Sequence, residues 1–171
     1  MASIKESIDG VIGYLADNPE KARYTDSLAT ATLGDALRVT VDGDATVVTD
    51  MPKSVGGEAE HASPGWLLRA AVASCVATLI GMEAARDEVE LSELVVEVDS
   101  FSDDHGILRM ADDVPVGPMS MSVRVHIAGD ADDRRLEEIA RRGAAHCPVC
   151  DAIKRAVPVE VDVDVAVPGD G

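Results

Sequence analysis

Apolar residues at Ile4, Ile8, Val11, Ile12 and Leu15 repeat with a helical period until Asn18-Pro19, so the chain is predicted to begin with one short helix. From Ser27 the pattern changes to β-branched stretches, residues 27–32, 36–41 and 45–50, broken by Leu33-Gly34-Asp35 and by Asp42-Gly43-Asp44. An Asp-Gly pair between such stretches is a hairpin signal. Residues 51–64, with Pro52, Gly56, Gly57 and Pro64, read as a loop leading into a helix that Ser63 caps and Pro64 opens. That helix, predicted over residues 65–88, is apolar nearly all round and carries Ala or Ser at 70, 71, 73, 74 and 77, so it belongs in the centre of the molecule.

Residues 94–101 and 120–128 alternate apolar and polar and read as two strands or one long hairpin, separated by the polar stretch 102–119. A second helix is predicted from Asp132, with Leu136, Ile139, Ala140 and Ala144 on one face. A break at His146-Cys147-Pro148 leads into a short helical piece, 149–156, and Val or Ala then alternates with Glu or Asp over 159–167, a final strand with one wet face. Strands precede and follow helices without strict βαβ alternation, which favours an α+β fold. With no repeat and no linker, the chain reads as a single domain over residues 1–171, in which residues 1–19 form an N-terminal helical extension. An apolar helix too exposed for a chain of this size to cover points to a partner subunit, and a homodimer is the economical form.

Charge narrows the function classes. Fifteen Lys and Arg against 32 Asp and Glu give a formal charge of −17, which repels phosphate backbones and anionic lipid, so neither nucleic acid nor a membrane is an expected partner. The longest uncharged apolar run, residues 70–82, is thirteen residues long, short of the roughly twenty that span a bilayer. No Arg- or Lys-headed apolar segment opens the chain, and three cysteines are an odd number for a disulfide framework, so a reducing cytoplasm is the expected location. With only four aromatic residues, Tyr14, Tyr24, Trp66 and Phe101, the core must come from Val, Ala, Leu and Ile.

The cysteines concentrate the chemistry. Cys75 sits inside the apolar helix, where a packed small hydrophobe is the plain reading, and Cys147 and Cys150 form CPVC at a helix start. If Cys147 caps that helix with Pro148 at its first position, free backbone N–H groups face the sulfur and favour thiolate. CPVC lacks a second ligand pair for zinc, so no metal is expected, and it lies too near the C-terminus for the early strand–helix position of a thioredoxin-like dithiol. A third reading beside these two pairs Cys147 across space with Cys75, which needs both helices to be central.

The segments SPGWLLRAAVASCVATLI and AHCPVCDAIKRAV, with cysteines 72 residues apart, resemble the two cysteine motifs of the OsmC/Ohr proteins, and NPEKARYTDS and SDDHGIL are similar to one branch of that family. The resemblance covers residues 20–167. It implies an OsmC-like α+β fold with antiparallel sheets wrapped around two central helices in an intertwined homodimer. It also implies a cofactor-free peroxidase in which Cys75 attacks an organic hydroperoxide, Cys147 resolves the sulfenic acid to a disulfide, and a dithiol such as dihydrolipoamide resets the pair. The family's Glu, ten residues before the first cysteine, is here Gly65, with Glu58 and Glu60 in the preceding loop. Arg38, expected in a strand, and Lys53, in the loop, stand nearest to the family's activating Arg, and Cys150 replaces its Ser. Without that clamp, a non-catalytic dimer binding a small apolar ligand and a CPVC disulfide reductase are the alternative functions. The negative field favours a neutral peroxide as substrate. His61, His105 and His126 read as surface residues, Trp66 as a buried anchor of the central helix, and Arg134, Arg135, Arg141 and Arg142 as a solvated helix face.

Overall fold

The computed structural model describes residues 3–165 and shows a mixed α+β fold of five helices and two antiparallel sheets. Helix α1 (Ile4–Asp17) begins at a capping box, in which Ser3 Oγ accepts from Glu6 N–H at 3.1 Å and Ser3 N–H donates to the Glu6 carboxylate at 2.7 Å. Strands β1 (Thr30–Leu33), β2 (Val39–Asp42) and β3 (Val47–Thr49) form the first sheet, with β2 in the middle. The Asp42-Gly43-Asp44 turn joins β2 to β3, and Thr46 Oγ1 donates to the Asp42 carboxylate across it at 2.7 Å.

Helix α2 (Pro64–Arg86) starts where Ser63 Oγ accepts from Trp66 N–H, with Pro64 in the first turn. Val72, Val76, Ile80 and Ala84 fall four residues apart and form one fully buried stripe. That stripe packs on helix α4 (Asp133–Ala145) through Ile139 and on the hairpin of β4 (Leu91–Phe101) and β5 (Ser120–Gly129). In the hairpin, Leu94 faces Ile127 and Val96 faces Val125, so the inward side chains of both strands share one face towards α2. The short helix α3 (Asp104–Ile107) lies in the connection, and α5 (Pro148–Arg155) follows α4 after a break at His146 and Cys147. Helices α2 and α4 approach closely at Gly143, where a Cβ would sit 2.6 Å from Ile80 Cα.

Several expectations change. The strand predicted over 159–167 is absent from residues 159–165, and 166 and 167 lie outside the described residues. Its alternation is present, but the segment pairs with none of this chain's strands, and Val159, Val161, Val163 and Val165 are all 73–84% exposed. Trp66 is 51% exposed rather than buried, because it sits in the first turn of α2, before the helix reaches the core. The chain does not cover helix α2 fully, as its apolar circumference implies: the face bearing Ala71, Ser74 and Thr78 is open to solvent. By length and composition α2 could cross a membrane, yet its buried stripe and the ion pair described next are those of a core helix.

Arg135 and Arg142 do not belong to a solvated face. Arg142 pairs with Glu83 and Asp87 of α2, and Arg135 reaches Asp87 at 2.9 Å. The bond from Arg142 holds the nearly buried Glu83 carboxyl below its ordinary pKa against the effect of burial, with Arg86 helping. A carboxylate inside an apolar stripe requires such a counter-charge.

Candidate active site

Cys75 lies one position before Val76, on the flank of the buried stripe of α2 that faces α5. Cys147 is the N-cap of α5: its backbone is extended, Pro148 takes the first helical position, and Cys150 N–H donates to Cys147 Sγ at 3.3 Å. The local sequence dictates this geometry, since Pro148 cannot donate a backbone hydrogen bond and is pre-set for the first turn of a helix. The side chain of Cys147 has no exposed surface, whereas Cys75 and Cys150 are half-buried, and all three thiols are free.

The three sulfurs form one cluster. Cys147 is a hydrogen-bond neighbour of both Cys75 and Cys150. Burial pushes the Cys147 thiol up, but the Cys150 N–H, the two neighbouring thiols and the Val149 N–H outweigh it and bring the pKa below its ordinary value. Burial and the neighbouring Cys147 push Cys75 up, partly offset by the Val149 N–H. Cys150 is pushed up to about 11 by burial and by Cys147, with Lys154 opposing. The first proton therefore leaves from Cys147, which then holds a thiolate between two donating thiols, and the three groups titrate as a unit.

The other sequence-predicted residues lie apart from the sulfurs. Arg38 stands immediately before β2 and donates to Glu58 at 2.6 Å and to Glu60 at 2.5 Å. Both acids are delivered by a loop wound around Asp50, whose buried carboxylate accepts N–H bonds from Glu60, Met51 and Glu58. These bonds hold the Asp50 carboxyl below its ordinary pKa. Gly57 is required in that loop, because a Cβ there would come within 1.9 Å of the Met51 carbonyl oxygen. Arg38, Glu58 and Glu60 thus form one ion-pair group apart from the sulfurs, while Gly65 leaves its own position without a carboxylate. Among the described residues no cation acts on Cys75 or Cys147. Lys53 is exposed and makes no ion pair among the described residues. His61, His105 and His126 are exposed.

Sequence reasoning missed two features of the site. The Val149 N–H serves both Cys75 and Cys147, a role that follows from Pro148 starting the helix but leaves no mark in the side chain of residue 149. The Glu83–Arg142 tie, which fixes α4 and hence the Cys147 cap against α2, is signalled only by an acid at the spacing of the apolar stripe.

A family model described as OsmC-like protein matches residues 57–162. An OsmC-like protein from Mycoplasma pneumoniae superposes with a TM-score of 0.66 at 16% identity, covering 77% of this chain and 89% of that one. An organic hydroperoxide resistance protein OsmC from Legionella pneumophila gives 0.60 at 20% identity, covering 77% and 91%. The organic hydroperoxide resistance protein OhrB of Bacillus subtilis gives 0.51 at 21%, covering 76% and 91%. At these identities the likeness shows the fold. No curated protein sequence matches the chain.

Proposed function

The chain belongs to the OsmC-like protein family, and from that premise we propose that it is a cytoplasmic, homodimeric thiol peroxidase acting on neutral organic hydroperoxides. The observation that carries this reading is the half-buried Cys75 beside a second thiol, Cys147, whose pKa the amides of α5 lower. A proton passed from Cys75 to the neighbouring Cys147 leaves the Cys75 thiolate free to attack the terminal peroxide oxygen. The O–O bond breaks, Cys75 becomes a sulfenic acid, and the alkoxide leaves as an alcohol after taking up a proton. Cys147 then attacks the sulfenic sulfur, hydroxide departs as water, and a Cys75–Cys147 disulfide remains for an external dithiol to reduce.

The dimer supplies what the single chain lacks. The open face of α2, the partly covered first sheet and the unpaired valine alternation of residues 159–165 support an interface in which each chain covers its partner. The Arg38 guanidinium, fixed by Glu58 and Glu60, is the cation proposed to meet Cys75 of the partner subunit and to stabilise its thiolate. Three free thiols suit a reducing compartment, and the −17 charge favours a neutral substrate.

The test is peroxide consumption by the purified protein with cumene hydroperoxide and a dithiol. Turnover is expected in the wild type and lost in Cys75→Ser, and mass spectrometry is expected to find a Cys75–Cys147 bond in protein quenched early. No consumption with any dithiol overturns the enzymatic reading and leaves a dimer that binds a small apolar ligand.

A further inference from the structure

We propose that Cys150 is a third redox residue of this site, which takes the disulfide over from Cys75 and presents it to the reductant in an open groove. The proposal rests on the peroxidase reading above and extends it to the reducing half of the cycle. Three observations carry it. Cys147 is the middle sulfur of the cluster, a hydrogen-bond neighbour of Cys75 on one side and Cys150 on the other. Cys147 is also completely buried, so no external thiol reaches its sulfur. Cys150, in contrast, lines an open groove of about 400 Å³ together with Val72, Val76, Met121, Ile153 and Lys154.

The step is a thiol–disulfide exchange with no change in oxidation level. The Cys150 thiol gives its proton to water in the groove, and its sulfur bonds to Cys147 Sγ. The Cys75–Cys147 bond breaks, and Cys75 leaves as a thiolate that is ready for the next peroxide. The two oxidising equivalents come from the hydroperoxide, and the electrons that finally open the Cys147–Cys150 bond come from a small dithiol. In the reduced cluster Cys150 is a poor nucleophile, because burial and the charge and hydrogen bond of Cys147 hold it protonated. Oxidation of Cys147 removes that charge and leaves Lys154 opposed by burial rather than by a neighbouring thiolate, so Cys150 is a better nucleophile once there is a disulfide to accept. The apolar lining with one terminal Lys suits a dithiol on an alkyl chain, and Cys75 is not among the residues that line this groove.

The readout is which cysteine stays free in protein that holds one disulfide. The full-length protein is oxidised in parallel with one equivalent of cumene hydroperoxide and with diamide, quenched in acid at successive times, and mapped by mass spectrometry. The expected result is a Cys75–Cys147 bond at early times that gives way to Cys147–Cys150, with Cys75 free. In Cys150→Ser the first bond persists and steady-state turnover falls about tenfold. Completion at Cys75–Cys147 with Cys150 free, together with wild-type turnover of Cys150→Ser, overturns the relay. If the wild type leaves peroxide untouched, the peroxidase reading fails on its own. The diamide arm still decides the exchange: a free Cys75 supports it and a free Cys150 overturns it.

Discussion

The half of the chain made of α2, α4 and the β4–β5 hairpin encloses its own core, whereas β1 and residues 157–165 leave their apolar side chains in solvent and β2 and β3 are covered only in part. Ile80 and Ile139 are completely buried in the first half, while Leu33 of β1 is 67% exposed in the second. Both halves carry similar Val- and Ala-rich sequence, so composition does not explain the contrast. The difference is one of layers. The hairpin has a helix layer on one face, but the first sheet has none from its own chain, and a β face needs a second layer to become a core. All three sulfurs belong to the enclosed half and the Arg38 ion-pair group belongs to the open one, so the residues proposed to act together are divided along this line.

Glycine-to-alanine changes test the enclosed core most strongly, because a site inside it and a site outside it should respond with opposite sign. At Gly143 a Cβ would lie 2.6 Å from the Ile80 backbone, and α4 would have to move off α2. Overpacking of this kind costs about 3 kcal/mol and the gain in helix propensity returns only about 1, so Gly143→Ala should lose about 2 kcal/mol in chemical denaturation. At Gly13 of α1 a Cβ meets nothing within 4 Å. There the propensity gain stands alone, and Gly13→Ala should be neutral to stabilising by up to about 1 kcal/mol. Equal effects at the two sites would show that α2 and α4 are not in contact at Gly143.

The Glu83–Arg142 tie is the electrostatic counterpart. Glu83 is nearly buried and Arg142 about one-third exposed, so Glu83→Gln should cost about 2 kcal/mol, below the range for a fully buried pair. Arg142 holds the folded-state pKa of Glu83 below its unfolded value near 4.5. This stabilisation is therefore complete above that value and is lost as the pH falls through the folded pKa. Urea midpoints of wild type and Glu83→Gln should be furthest apart at neutral pH and should converge in acid. A constant gap down to pH 2 would rule out the ion pair as its source.

Elements with a local signal were legible in the sequence. Ser63-Pro64 marks the start of α2, Asp42-Gly43 the β2–β3 turn and Cys147-Pro148 the start of α5, because caps and turns are decided within a few residues. The features that escaped depend on what another element supplies. Arg142 looks like any base on an acidic helix until α2 brings Glu83 to it. Trp66 looks like an anchor until the helix is found to enter the core only at Val72. The family motif made Cys75 and Cys147 legible, but the direction of their acidities was not, since it depends on the Val149 and Cys150 amides and on the order of the three sulfurs. The Arg38 ion-pair group escaped for a similar reason: the arginine and its two acids are far apart in sequence and meet only because the loop closes on Asp50.

The smallest effect on the chain itself is expected from the tail, where the same change should have its largest effect on assembly. Val161 and Val163 are exposed within one chain, so replacing both with Lys removes no intrachain packing and should shift the stability of an isolated subunit by no more than about 0.5 kcal/mol. If the alternation pairs with a sheet edge of the partner subunit, two ammonium groups on its apolar face are incompatible with that face being covered. The double variant should then elute as a monomer in size-exclusion chromatography with light scattering, with far-UV circular dichroism retained. Peroxide turnover should fall with it, because Arg38 would no longer reach the partner's Cys75. A variant that stays dimeric and fully active would place the covering surface elsewhere and would separate the role of Arg38 from the exchange of tails.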